Sequence, residues 1–145
     1  MIQSILTVCV GNICRSPMAE GLLRERLPNA NVSSAGIGAL AGRPADPLAV
    51  ALLEEKGIDI TAHRAQQISA RACRQADLIL VMDEDQKRAV ARTFSGTVGK
   101  LFVLGHYGKF DVFDPYRQGR ERFDACFELI FRGVEDWVAR IKAIA

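Results

Sequence analysis

Residues 5–17 read I-L-T-V-C-V-G-N-I-C-R-S-P, and the fold turns on that stretch. Ile5-Leu6-Thr7-Val8 is a short apolar run of the kind that forms a strand buried on both faces of a sheet. The segment from Cys9 to Ser16 then reads as a tight loop, and a helix is predicted to open at Ser16-Pro17. A buried strand, a loop and a helix N-terminus in succession make an α/β unit with an anion site at its turn.

The rest of the chain repeats this alternation. Apolar runs at Ile2–Val8, Asn31–Ser34, Leu78–Met82 and Lys100–Leu104 predict strands. Between them lie predicted helices. Pro17–Leu27 carries Ala19, Leu22, Leu23 and Leu27 on one side, and Pro47–Lys56 stops at Gly57. Ala70–Arg74 is one short turn, and Glu84–Phe94 follows Asp83, a good helix cap. A last helix from about Arg120 to Ile144 shows Phe123, Phe127, Ile130, Phe131, Val134, Val138 and Ile141 recurring at three or four. Strands alternating with helices imply βαβ units on a parallel sheet, with ligands at the carboxyl ends of the strands. The Cys9 loop leaves the first strand at such an end.

The bulk composition narrows the classes. The 145 residues predict one domain spanning 1–145, with 49% hydrophobic and 25% charged residues, an ordinary globular balance. A net charge of +2 is too small to argue for nucleic acid by itself, and no nucleic-acid partner is expected. The N-terminus has no basic segment before its short apolar run, and no stretch approaches a membrane span, so a cytoplasmic location without membrane insertion is expected. Cys9, Cys14, Cys73 and Cys126 are expected to be thiols. They form no C-x2-C pair, and His63 and His106 sit at no metal-ligand spacing, so no metal is expected.

Within the loop, each residue type has a mechanical reason. Gly11 and Asn12 tolerate positive φ, which lets the loop curl with its N–H groups inward as an anion nest. Arg15 can grip two phosphate oxygens through its planar fork. Cys9 lies below that anion, where the same field stabilises a thiolate, and Ser16 can donate a hydrogen bond toward the sulfur. The pattern points to phosphate-ester chemistry. A thiolate nucleophile needs a separate acid for the leaving oxygen. Asp114, in F-D-V-F-D-P-Y-R, is the candidate, with Pro115 stiffening its loop and Phe113 and Tyr116 shielding it from water; Asp111 is the local rival. Cys14 is either a packing residue or a trap for oxidised Cys9. His63 is either a surface histidine or the residue that pins Asn12, and Asp83 is read as a helix cap alone.

Six motifs then agree: C-V-G-N-I-C-R-S-P at 9–17, S-A-G at 34–36, A-D-P at 45–47, A-H-R-A-Q-Q-I-S at 62–69, L-I-L-V-M-D at 78–83 and D-P-Y at 114–116. With these the chain resembles the low-molecular-weight protein tyrosine phosphatases from end to end. The stretches at 38–47 and 114–123 look closest to the bacterial subgroup that serves capsule and exopolysaccharide export. The resemblance implies a three-layer α/β/α fold, Rossmann-like, around a central four-stranded parallel sheet, with no cofactor. It implies Cys9 as nucleophile, Arg15 as phosphate clamp and Asp114 as general acid, then base. It implies a phosphate-binding loop of Val10, Gly11, Asn12, Ile13, Cys14, Arg15 and Ser16, walls at Leu40 and Tyr116, and His63 behind the loop. The implied partner is a phosphotyrosine protein, a tyrosine autokinase with a tyrosine-rich tail, met by a monomer or weak dimer.

Some positions depart from the eukaryotic members. The loop after S-A is I-G-A-L-A-G, so Ile37, Ala39 and Leu40 stand where those relatives carry a serine and a tryptophan. Tyr116 is followed by Arg117 in place of a second aromatic, and Arg117, Arg120 and Arg122 either meet an acidic, multiply phosphorylated tail or simply solvate the start of the last helix. Three rival readings remain. A thioredoxin-coupled arsenate reductase needs two further neighbouring cysteines, and Cys73 stands alone in that region. A protein-arginine phosphatase carries threonine where this chain has Ile13. A non-catalytic phosphate-binding module has no need of intact Cys9, Arg15 and Asp114 together.

Overall fold

The computed structural model describes residues 1–144; Ala145, the last residue of the predicted domain, lies outside the described residues. Strands β1 (Ser4–Cys9), β2 (Asn31–Gly36), β3 (Leu78–Val81) and β4 (Leu101–Val103) form one sheet in the order β2-β1-β3-β4, and every pairing is parallel. The helices are α1 (Arg15–Arg26), α2 (Pro47–Glu54), α3 (Ala70–Gln75), α4 (Glu84–Thr93) and α5 (Arg120–Ala143). All predicted elements are present, with ends shifted by one or two residues. A single 3-10 turn, Val98–Lys100, replaces the predicted start of β4.

The alternation of each strand explains the layers. Ile5, Cys9, Leu78, Leu80 and Met82 join a core with α1, α2 and α5, whereas Leu6, Val8, Ile79, Val81, Leu101 and Val103 join a second core with α3 and α4. Side chains of successive residues point to opposite faces of a strand, so a run apolar at both parities is buried on both sides. This is the expected three-layer α/β/α arrangement. The chain runs from β1 to β2 on one side and then crosses back to β3 on the other side of β1, which puts a topological switch point at the carboxyl end of β1.

Capping fixes where most helices begin. Asp46 accepts the Leu48 N–H at 2.9 Å ahead of Pro47, and Ser69 accepts the Ala72 N–H at 3.1 Å. Asp83 accepts the Gln86 N–H at 2.8 Å. Helix α1 differs. It opens two residues earlier than predicted, its cap residue Cys14 makes no side-chain bond, and its first turn holds no acidic residue. Its first N–H groups are therefore left to whatever occupies the loop.

Helix α5 corrects one sequence expectation. Phe131 is exposed and stacks on Phe127, while Cys126, Gly133 and Trp137, outside the predicted stripe, are buried. Gly133 permits close approach to the chain after β4, since a Cβ there would lie 2.7 Å from Leu104 Cγ. Trp137 Nε1 donates to the Leu104 carbonyl at 3.0 Å. Among the described residues, no helix is long and apolar enough to cross a membrane.

Candidate active site

The loop between β1 and α1 curls because Asn12 takes a left-handed φ of +59°. Gly11, expected to share that role, does not. Its value lies in its bare surface, which faces the cavity beside Ile13 and Leu40. The direction of the curl is set from outside. The carbonyls of Cys9, Val10 and Gly11 accept the N–H groups of Ile37, Gly38 and Leu40, each at 3.0 Å, and the Ile13 carbonyl accepts that of Asp46 at 2.8 Å. The Asn12 carbonyl takes His63 Nε2–H at 2.7 Å, which fixes the proton on that nitrogen. With all five carbonyls turned outward, the N–H groups of residues 10–14 turn inward, and none has a partner among the described residues. Converging N–H groups without a protein partner form an anion nest, and an anion held there would satisfy them.

Cys9 lies at the floor, 2% exposed. Its Sγ is 2.9 Å from Ser16 Oγ. Ser16 Oγ already accepts Asn12 Nδ2–H at 2.8 Å, so its own proton is free to point at the sulfur. A second layer holds this pair. Asn12 also donates to Ser34 Oγ at 3.0 Å and accepts the Gln66 N–H at 2.9 Å, and Ser34 Oγ–H donates to Glu20 Oε1 at 2.5 Å. Glu20 pairs with Arg24 at 2.7 Å and faces His63 Nδ1 at 3.9 Å. His63 is thus hydrogen-bonded to the loop on one side and faces Glu20 on the other. Sequence reasoning missed Glu20 and Ser34 as members of this network; the only signal for either was Ser34's place in the S-A-G motif.

Arg15 is 4% exposed and anchored by Nη1 donating to the Val112 carbonyl at 2.9 Å. Asp114 Oδ2 lies 3.9 Å from Arg15 Nη2, and Asp83 Oδ2 lies 3.6 Å from Nη1. Asp83 therefore does more than cap α4: it stands at the carboxyl end of β3, next to the strand that carries the loop, and faces the guanidinium.

Asp114 departs from expectation in one respect. Its side chain is 52% exposed, not shielded. Phe113 turns inward against the core, with the Arg122 guanidinium 3.8 Å over its ring, and so does not cover the carboxyl. Tyr116 N–H donates to Asp114 Oδ1 at 3.0 Å, which leaves Oδ2 facing Arg15. Asp111, the rival, sits apart with Glu84, His106 and Phe110 around a different cavity. Burial and the Asp83 charge raise its pKa.

The loop cavity measures about 170 Å³ and is lined by Cys9, Val10, Gly11, Ile13, Cys14, Arg15, Gly38, Leu40, Asp114 and Tyr116. Leu40 and Tyr116 line one part of it, and Val10, Gly11, Ile13 and Cys14 form the loop side. Asn12 and Ser16 are fully buried behind it. A larger groove of about 530 Å³ lies on the other side of His63, but it holds none of Cys9, Arg15 and Asp114. Cys14 and Cys126 are buried free thiols. Burial, with nearby carboxylates, pushes both up, Cys126 to about 12. Cys126 Sγ–H donates to the Phe113 carbonyl at 3.5 Å, a neighbour of the site that the sequence did not single out.

Comparison with known proteins agrees with this geometry. The family described as low molecular weight phosphotyrosine protein phosphatase matches residues 4–144. The probable low molecular weight protein-tyrosine-phosphatase EpsP of Ralstonia nicotianae is 52% identical over 144 residues, covering 99% of each chain. The crystal structure of the tyrosine phosphatase Wzb from Escherichia coli K30 in complex with sulphate is 37% identical, with a TM-score of 0.93 over 97% of this chain and 99% of that one. The YwlE arginine phosphatase from Geobacillus stearothermophilus is 31% identical, with a TM-score of 0.90 over 97% of this chain and 93% of that one.

Proposed function

The chain belongs to the low molecular weight phosphotyrosine protein phosphatases, and from that premise we propose how its residues divide the work of hydrolysing protein phosphotyrosine. The phosphate sits in the loop on the inward N–H groups of residues 10–14, and these five unpartnered donors around a buried sulfur are the observation that carries the reading. Arg15 keeps Nη1 on Val112 and offers its Nε–Nη2 edge to two phosphate oxygens. Leu40 and Tyr116 flank the phenyl ring of the substrate.

In the first step the Cys9 thiolate attacks phosphorus, a sulfur–phosphorus bond forms, and the phosphorus–oxygen ester bond breaks. The Asp114 carboxyl transfers its proton to the departing phenolic oxygen. In the second step water attacks phosphorus, the Asp114 carboxylate takes the water's proton, and the sulfur leaves as thiolate, held by Ser16 Oγ–H. The amides and Arg15 stabilise charge on the transferring group throughout, which is where most of the acceleration in such chemistry arises. No cofactor enters either step.

The substrate we assign is a tyrosine autokinase serving capsule or exopolysaccharide export, in the cytoplasm, with the enzyme acting as a monomer or weak dimer and residues 1–145 as a single catalytic domain. Support comes from the subgroup motifs at 38–47 and 114–123. The similarity to an arginine phosphatase favours a second substrate chemistry, opposed by the aliphatic Ile13 in the cavity wall. One experiment separates the two: hydrolysis of phosphotyrosine and phosphoarginine peptides side by side in EDTA. The expected result is phosphotyrosine turnover that vanishes in Cys9→Ser while that variant still binds inorganic phosphate. Turnover near wild type in Cys9→Ser removes Cys9 from its role, and preference for phosphoarginine overturns the substrate.

A further inference from the structure

The turn at 114–118 separates three arginines that the sequence groups together. Arg120 is paired with Glu55 and with Asp124, each at 2.8 Å. Arg122 sits over the Phe113 ring and donates through Nε to Gln118 Oε1 at 3.1 Å. Arg117 alone of the three has no carboxylate partner and no hydrogen-bond acceptor among the described residues. Its guanidinium sits over the Tyr116 ring, 5.1 Å from the centroid, and Tyr116 is a wall of the Cys9 cavity.

The backbone holds it there against preference. Arg117 has a φ of +62° and is the third residue of a turn closed by Gln118 N–H donating to the Pro115 carbonyl at 3.0 Å. A turn needing positive φ at that place favours glycine or asparagine. Backbone outliers of this kind cluster at functional sites when the surroundings over-determine them. Here Asp114 does so, since its Oδ1 accepts the Tyr116 N–H at 3.0 Å and its carbonyl accepts Gln118 Nε2–H at 3.3 Å. The residue proposed as the acid thus also fixes where Arg117 points.

We infer that Arg117 is the receptor for an anionic side chain, carboxylate or phosphate, within one or two residues of the phosphotyrosine. The inference rests on the phosphotyrosine reading above. A phenyl ring seated between Leu40 and Tyr116 leaves the peptide backbone at the cavity mouth, and one extended residue spans about 3.3–3.6 Å. Flanking side chains therefore come within reach of a guanidinium lying just outside that wall. The planar fork suits carboxylate and phosphate equally, and stacking on Tyr116 pre-orders it. The enzyme selects phosphotyrosines that lie in acidic or multiply phosphorylated segments.

The test compares kcat/KM on three peptides differing only beside the phosphotyrosine: glutamine, glutamate, or a second phosphotyrosine. The readout is the ratio of each anionic peptide to the neutral one, in the intact protein, in Arg117→Gln and in Arg117→Gly, which relieves the positive-φ strain and guards against misfolding. Arg140→Gln removes the same charge near the other end of α5 and measures the long-range field. The expected ratio in the wild type is about three- to tenfold for an exposed but bidentate contact, falling to about one in both Arg117 variants and persisting in Arg140→Gln. A preference for glutamate identifies acidic segments, and a preference for phosphotyrosine alone identifies multiply phosphorylated ones. A wild-type ratio near one, a ratio that survives loss of Arg117, or an equal fall in Arg140→Gln overturns the inference. Failure to hydrolyse even a small aryl phosphate would instead sink the phosphatase reading on which it stands.

Discussion

Replacing Asn12 should damage this protein more than replacing any other polar residue behind the loop. Its side chain is fully buried and joins three partners: Ser16 Oγ at 2.8 Å, Ser34 Oγ at 3.0 Å and the Gln66 N–H at 2.9 Å. Asn12→Ala orphans the Gln66 amide, about 1–3 kcal/mol, and removes two donations to hydroxyls, about 0.5–1.5 kcal/mol each. An alanine at φ +59° adds about 1 kcal/mol of backbone strain that asparagine bears more easily. The sum, about 3–7 kcal/mol, is a large share of the roughly 5–15 kcal/mol that holds a domain folded. Asn12→Gly loses the same bonds without the strain, so it should unfold at a higher urea midpoint than Asn12→Ala, by about 1 kcal/mol at an unchanged slope. Under conditions where both remain folded, kcat on a phosphotyrosine peptide should fall about a hundredfold or more, because Ser16 and the loop amides lose their placement. Two folded variants within about 1 kcal/mol of wild type, with unaltered kcat, would refute the assignment of Asn12 as the keystone of the loop. Equal midpoints for alanine and glycine would refute the strain.

Gly36 offers a cleaner separation of activity from stability. A Cβ there would lie 2.5 Å from the Val10 carbonyl and 3.0 Å from Asn12 Cβ, so Gly36→Ala should push the loop off its amide geometry and lower kcat more steeply than it lowers the urea midpoint; an unaffected kcat would count against it. Burial raises Cys14, Cys73 and Cys126, the last to about 12, so at pH 7 iodoacetamide should give one adduct, on Cys9, and phosphate should block it. Mass spectrometry that finds label on Cys14, Cys73 or Cys126 of the folded protein contradicts this. Asp111 has a folded pKa raised above its ordinary 3.8 by burial and by Asp83. Between those two values the native state holds more protons than the unfolded one, so stability falls as pH rises and stays lowered above the folded value. Asp111→Asn should therefore stabilise the protein at pH 7, by a few tenths of a kcal/mol given its exposure, and leave it unchanged near pH 3. Equal gains at both pH values would show that the charge is irrelevant.

How much of this was readable in the sequence depended on the distance over which each decision is made. The strand and the loop were legible because each position from Ile5 to Pro17 needs a residue type with a local reason. That the loop curls is likewise local, through Asn12. Which way it faces is not. Its carbonyls are drawn outward by Ile37, Gly38, Leu40, Asp46 and His63, residues that are ordinary in their own neighbourhoods. The same holds for Glu20 and Ser34, brought together only when α1 packs on β2. Asp83 was legible as a cap because capping spans three residues, and illegible as a partner of Arg15 because that contact exists only once β3 lies beside β1. The helical period found α5 but misplaced Phe131, since a stripe read from one helix does not say where its neighbours end. The Phe113 and Asp114 expectation failed in the same way. Adjacency in sequence suggested a shield, while the Arg122 guanidinium and the core drew the ring the other way. The chemistry of the site is thus written in one short segment, and its orientation in residues that only the sheet order brings near. That is why loss of Gly36 or His63, neither of which touches the cavity, should disturb the loop as directly as changes within it.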